Sequence, residues 1–198
     1  VVIGHSMGGV LSRSLITEVD DRFWDALSKK NFSEVKLPAD KREEIRELVF
    51  MKPVPQVKRA IFFSAPHRGA EMADSWIGRL GGRLVRLPLS VVKLQLAIVT
   101  LDSDILRNPA GMKGGGNSIR SLSPGAPIYK ALNGSPFVPG VPYHTVVGDR
   151  GKGDTPDSSD GIVPYSSAHL SGAESELIVP TGHGSYESPL SVEETKRI

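Results

Sequence analysis

Four short apolar runs alternate along the chain with segments that have the periodicity of helices. The runs cover residues 1–3, 60–64, 143–148 and 176–179, and each is followed by a turn or a loop. Strands that alternate with helical segments are typical of a parallel sheet with helices on its faces. The pattern therefore predicts an α/β fold.

Helical periodicity begins directly after the first run, at Gly8 and Gly9, and one face of this helix is apolar through Leu11, Leu15, Ile16 and Val19. A second helix is predicted from Asp40, a residue type that caps helix starts, with Glu43 three positions further on. Prolines end it before the second run. A polar helix that begins near Pro189 is predicted at the C-terminus.

The segment from 70 to 120 interrupts this alternation. It is unusually apolar between Met72 and Leu106, but its apolar positions are irregular, and we interpret it as a helical cap inserted after the second strand. A membrane span needs about 20 apolar residues. The longest apolar run here is broken by Lys93 and Gln95, so no transmembrane segment is predicted.

Composition restricts the class of protein and of partner. The chain has 198 residues, 39% of them hydrophobic, which is enough for one core, and we predict a single domain over 1–198. The formal net charge is only +2 and the basic residues are scattered, which favours a small or apolar molecule over nucleic acid as the partner. The absence of cysteine excludes a disulfide framework and a thiol nucleophile, and leaves the localisation open.

One pentapeptide carries the pattern of a nucleophile elbow. Gly4-His5-Ser6-Met7-Gly8 matches G-x-S-x-G and stands between an apolar strand and a helix, the context that this motif requires. Ser6 is the predicted nucleophile, and the backbone N–H of Met7 is the predicted oxyanion donor. Side chains at Gly4 or Gly8 are expected to collide with the neighbouring strand or helix. A dinucleotide-binding turn, the alternative, needs G-x-G-x-x-G, which is absent.

A serine nucleophile needs a histidine base and an acid that orients it, and behind an elbow of this type the chain order is Ser, then Asp or Glu, then His. Asp160 follows the third predicted strand, and His183, between two glycines, follows the fourth. Asp149, Asp154 and Asp157 share the loop of Asp160 and remain alternative acids. An ordinary surface-loop histidine is the alternative interpretation of His183.

The other histidines have less suitable positions for a base. His5 is inside the elbow, His67 follows the second strand, His144 begins the third strand and His169 lies in a predicted helix. The aspartates of the 149–160 loop do not have the spacing of a calcium-binding loop, so no metal site is predicted.

Three segments together resemble bacterial lipases and esterases of the α/β-hydrolase superfamily. They are the elbow GHSMGG at 4–9, the strand and loop IFFSAPHRG at 61–69, and DGIVP at 160–164 with Ser167 and Ala168 after it. Within the superfamily they are similar to PGAP1-like and lecithin:cholesterol acyltransferase-like proteins. The resemblance extends from the first strand to the final helix.

This resemblance implies the C-terminal half of an α/β-hydrolase fold, with strands equivalent to the fifth through eighth of the family's sheet. It implies Ser6 as nucleophile, Asp160 as acid, His183 as base, residues 70–120 as a cap over the acyl site, and no cofactor. His67 would be structural or would line the site. Because the chain opens on a strand without an initiator methionine, we expect the early strands to precede it, together with the loop that provides the second oxyanion N–H.

The expected reaction is hydrolysis of a carboxylic ester through an acyl-Ser6 intermediate, and the apolar cap favours a lipidic or otherwise hydrophobic acyl group. Two alternatives stay open. The same three residue types serve an acyltransferase, which passes the acyl group to an alcohol. A binding module could also keep the fold without the activity.

Overall fold

A computed structural model describes residues 1–69, 105–107, 125–151 and 157–198. Most of the segment interpreted as a cap, 70–120, lies outside these residues, as does Asp154. The cap and the extent of the domain therefore stay predictions.

Four strands form one parallel sheet in the order in which they follow each other along the chain. They are β1 (Val2–His5), β2 (Ala60–Phe63), β3 (Tyr143–Gly148) and β4 (Ser175–Val179). Every predicted strand is present, with ends that differ from the prediction by two residues or fewer. The α/β class and the parallel sheet are confirmed, and the arrangement is consistent with the C-terminal part of an α/β-hydrolase fold.

Helices flank this sheet. Within the described residues they are α1 (Met7–Ser14), α2 (Arg22–Leu27), α3 (Ala39–Val49), α4 (Pro127–Asn133), α5 (Tyr165–Ala168) and α6 (Pro189–Arg197), with 3-10 turns at Phe32–Glu34 and Ser185–Glu187. In the described part of the chain, no helix has both the length and the apolar character needed to cross a bilayer.

The second predicted helix begins earlier than expected. Asp40 was expected to cap it, but Pro38 is the N-cap residue and α3 starts at Ala39. Pro38 already has the extended backbone of a residue that precedes a helix (φ −53°, ψ 146°). Asp40 therefore lies in the first turn, where its negative charge interacts favourably with the helix dipole.

Two clusters of the core lie on opposite faces of the inner strand β2, whose four residues are all buried. Ala60 and Phe62 face a cluster that includes Ile16, whereas Ile61 and Phe63 face a cluster on the opposite side of the sheet. Strands that are covered on both faces are apolar at almost every position. This is why β2 appears in the sequence as a continuous apolar run.

The parallel arrangement brings the carboxyl ends of all four strands to one edge of the sheet. Ser6 follows β1, Ser64 follows β2, Asp149 follows β3, and the loop with His183 follows β4. Open α/β sheets bind their ligands at this edge. The candidate residues of three separate loops thus meet in one place.

Candidate active site

Ser6 stands on the sharp turn between β1 and α1. Its backbone angles, φ 55° and ψ −128°, are rarely adopted by residues with a side chain. The Ser6 N–H donates to the carbonyl of Phe63 at 2.9 Å, and the Ser6 carbonyl accepts the N–H of Gly9 at 2.9 Å. The neighbouring strand and the helix therefore hold the strained turn from both sides.

Met7 is the first residue of α1. The N–H groups of the first helical turn have no acceptor inside the helix, and they lie at the positive end of the helix dipole. A backbone donor is thus present one residue after the Ser6 hydroxyl.

Glycine allows strand β1 and helix α1 to approach closely at this turn. Of the two positions where the sequence predicts that a side chain would collide, Gly4 and Gly8, only one does so in the structure. A Cβ at Gly4 would lie 2.6 Å from the Cα of Gly9, so the collision expected at Gly4 is confirmed. The expectation for Gly8 is wrong, because a Cβ there would meet nothing within 4 Å. The tight position is Gly9, where a Cβ would strike the side chain of Ala65. Consecutive helical residues are about 100° apart around the axis, so only one of the two glycines faces the sheet.

The three side chains predicted for the site lie in one hydrogen-bonded chain. Ser6 Oγ is 2.9 Å from His183 Nε2, and His183 Nδ1 is 2.7 Å from Asp160 Oδ2. The side chain of Asp160 is 1% exposed and that of His183 is 12% exposed. The contact between Asp160 and His183 is thus shielded from water.

The hydrogen bonds determine which nitrogen of the neutral His183 ring carries the proton. A carboxylate oxygen only accepts hydrogen bonds, so Nδ1 donates to ionised Asp160. Nε2 is then the acceptor that faces the Ser6 hydroxyl. In this state the ring can take a proton from Ser6 Oγ, and the nearby carboxylate stabilises the resulting positive charge.

Both carboxylate oxygens of Asp160 accept hydrogen bonds, three in all. Oδ1 accepts the N–H groups of Ile162 at 2.8 Å and Val163 at 2.7 Å, whereas Oδ2 faces His183. Gly161, inside this turn, has a φ of +93°, in the region that favours glycine. The turn therefore fixes the carboxylate so that its second oxygen is directed to the histidine.

The alternative acids have different surroundings. Asp149 is 6% exposed, and its Oδ1 accepts the N–H of Gly151 at 2.9 Å. Asp157 is exposed. Among the described residues of this loop, Asp160 is the aspartate that is hydrogen-bonded to His183.

His5 also belongs to the site, although sequence reasoning treated it only as part of the elbow. Its Nε2 donates to the main-chain carbonyl of His183 at 2.8 Å, and its ring contacts the rings of His183 and Tyr186. Burial lowers the pKa of His5, which favours the neutral ring. The second position of G-x-S-x-G accepts many residue types, so the motif contains no signal for this contact.

Two further histidines, His144 and His169, form hydrogen bonds with residues other than the three predicted for the site. His144 lies between Arg59 at 3.0 Å and the Ser175 hydroxyl at 2.9 Å, and His169 is 2.9 Å from a carboxylate oxygen of Glu176. Among the described residues, no group of three or more His, Cys, Asp or Glu side chains could hold a metal ion.

Comparisons with known proteins add little to this geometry. No family model matches the chain, and no curated protein matches it significantly. Among solved structures, the mature form of the Bacillus licheniformis lipase BlEst2 is similar, with a TM-score of 0.42 and 18% sequence identity. The match covers 93% of this chain and 59% of the lipase. Function is therefore inferred from the geometry of the site.

His67, in the loop after β2, is fully buried, with its ring edge-on to Phe62 at 4.8 Å. Among the described residues neither ring nitrogen has a hydrogen-bond partner. Burial, together with the positive charges of Arg13 and Arg68, holds the pKa of His67 well below its ordinary value. The resemblance implies that His67 is either structural or part of the lining of the site. Full burial favours the structural role.

We expect His67→Leu to reduce the acid sensitivity of the fold. An unfolded histidine binds a proton below about pH 6.5, whereas folded His67 stays neutral. Because folding lowers the pKa of His67, its contribution to the free energy of unfolding is fully present above about pH 6.5. That contribution is lost as the pH falls below this value, by up to about 1.4 kcal/mol per pH unit for one proton. Leucine binds no proton in either state, and it removes the two ring nitrogens that have no hydrogen-bond partner among the described residues.

Urea unfolding at pH 8, 6 and 5 measures this effect as the free energy of unfolding. At pH 8 the variant should lie within about 1.5 kcal/mol of the wild type, and it should lose less stability on acidification. His169→Leu, at a partly exposed histidine, is the control. Parallel pH curves for the wild type and His67→Leu would contradict the assignment of His67 as a buried neutral group.

Proposed function

We propose that the protein is a serine hydrolase that cleaves carboxylic esters through an acyl-Ser6 intermediate. One observation supports this above all others: Ser6 Oγ, His183 and Asp160 are joined by hydrogen bonds of 2.9 and 2.7 Å, and the serine stands on a strained strand-to-helix turn. A nucleophile, a base within hydrogen-bond reach and a group that orients the base are the parts that acyl transfer needs.

In the first half of the reaction, His183 Nε2 removes the proton from Ser6 Oγ as this oxygen attacks the ester carbonyl carbon. The Met7 N–H donates to the carbonyl oxygen while it carries negative charge. The bond to the alkoxy group then breaks, and His183 returns the proton to the departing alcohol. The Asp160 carboxylate holds the ring of His183 in the required tautomer.

In the second half, water takes the place of the alcohol. His183 removes a proton from water, the hydroxide oxygen attacks the acyl-Ser6 carbonyl, and the carboxylic acid leaves as Ser6 Oγ regains the proton. No cofactor takes part in this scheme.

The substrate class is a lipidic or otherwise hydrophobic ester. The resemblance of the motifs to PGAP1-like and lecithin:cholesterol acyltransferase-like proteins supports this, as does the apolar composition of residues 70–120. Transfer of the acyl group to an alcohol would use the same three side chains. Analysis of products formed from an ester in the presence of a competing alcohol distinguishes transfer from hydrolysis.

A fluorophosphonate probe tests the proposal, because it forms a covalent bond with an activated serine oxygen. We expect the intact protein to be labelled at Ser6, which peptide mass spectrometry locates, and we expect no labelling of Ser6→Ala. Ser14→Ala, which removes another hydroxyl from α1, is the matched control and should be labelled like the wild type. Labelling that persists in Ser6→Ala would refute the proposal.

A further inference from the structure

The loop that carries His183 has little intrinsic rigidity at that residue. It connects β4 to the 3-10 turn Ser185–Glu187, and His183 lies between Gly182 and Gly184. Glycine restricts the backbone less than any other residue, so contacts from other segments must determine where the ring lies. This matters because a general base acts only within hydrogen-bond reach of the proton that it removes.

The elbow contacts His183 at two separate atoms. Ser6 Oγ is 2.9 Å from the ring at Nε2, and His5 Nε2, one residue earlier, is 2.8 Å from the main-chain oxygen. His5 and Ser6 are consecutive, and β1 is paired with β2 along its whole length. Both contacts therefore come from one rigid segment. The ring of His5 is itself held edge-on to Tyr186, at 4.7 Å between centroids.

The protonation state of His5 suits this contact. A carbonyl oxygen only accepts hydrogen bonds, so His5 Nε2 carries a hydrogen, and burial lowers the pKa of the ring. Among the described residues, the other charged or titratable groups that act on His5 are His183, Asp160 and Glu187. A cationic His5, with its centroid 4.8 Å from that of His183, would oppose the positive charge that His183 gains from Ser6. A neutral ring donates the hydrogen bond without that repulsion.

We infer that His5 is a positioning residue for the reaction: its Nε2–H holds the main chain of His183 and thereby keeps the ring within reach of Ser6 Oγ. The inference rests on the proposed function of Ser6 and His183. A displacement of about 1 Å is enough to reduce a rate by roughly 100-fold. Loss of the bond should therefore lower kcat and leave ester binding unchanged.

Two substitutions in the intact protein separate the hydrogen bond from the ring. His5→Phe keeps an aromatic ring and removes the donor, whereas His5→Gln keeps an N–H donor at similar reach and removes the ring. With p-nitrophenyl acetate we expect His5→Phe to lower kcat by about 10- to 100-fold, with KM within about twofold of wild type. His5→Gln should restore kcat to within about fivefold of wild type. His169→Phe, at a histidine that contacts Glu176, is the control and should leave kcat unchanged.

Thermal melting shows whether each variant is folded, and His5→Leu replaces His5→Phe if the latter does not melt cooperatively. A donor-free variant with kcat within about twofold of wild type would overturn the inference. So would a His5→Gln variant as impaired as His5→Phe, because the ring and not the donor would then be responsible. A wild-type protein without esterase activity, or Ser6→Ala with activity, would instead refute the proposed function.

Discussion

Ser6→Ala is expected to lower kcat for ester hydrolysis by about 10⁶-fold, the loss that follows removal of a nucleophilic serine from a site of this type. In the proposed mechanism the Ser6 hydroxyl forms the acyl intermediate, and neither His183 nor Asp160 can replace it. Hydrolysis of p-nitrophenyl esters by the intact protein measures the effect.

The same substitution should change stability little. Ser6 keeps its φ of 55° through backbone bonds to Phe63 and Gly9, which alanine can also make. A Tm within a few degrees of wild type would show that the loss of activity is chemical. Hydrolysis at near wild-type rates by Ser6→Ala would remove Ser6 from the mechanism.

Asp160→Asn is expected to lower kcat by at least about 10³-fold, since the comparable change in another serine enzyme costs about 10⁴-fold. Oδ1 of residue 160 accepts two backbone N–H groups, from Ile162 and Val163, so this position must remain an acceptor. The amide nitrogen of asparagine would then occupy the place of Oδ2 and donate to His183 Nδ1. His183 would carry its hydrogen on Nε2, where it could no longer take the proton of Ser6.

Asp149→Asn and Asp157→Asn are the matched controls, and each should lower kcat by less than about tenfold. Asp149 accepts the N–H of Gly151, which an asparagine oxygen can also accept, and Asp157 is exposed. If Asp149→Asn removed activity while Asp160→Asn had a mild effect, the acid would be misassigned. The proposed roles of Ser6 and His183 would not be affected.

Local sequence determined the elements of this fold. The inner strand β2 appears as a continuous apolar run because a strand covered on both faces needs apolar residues at nearly every position, whereas the outer strands β1 and β4 are partly exposed. The elbow is recognisable because its requirements are local: a strand before the serine, a helix after it, and a glycine at position 4, where a Cβ would strike Gly9. The chain order Ser, Asp, His that is typical behind such an elbow is also visible in the sequence, at Ser6, Asp160 and His183.

Tertiary structure alone decided which residues of distant segments meet. The sequence contains several aspartates in the loop of Asp160, and their distances to His183 depend on how the loop folds. The contact of His5 with the His183 carbonyl joins residues 178 positions apart. That contact depends on the order of strands in the sheet and on the path of two loops, and a motif that covers five residues encodes neither. The rotation of α1 that directs Gly9 rather than Gly8 to Ala65 is likewise set by packing against the sheet.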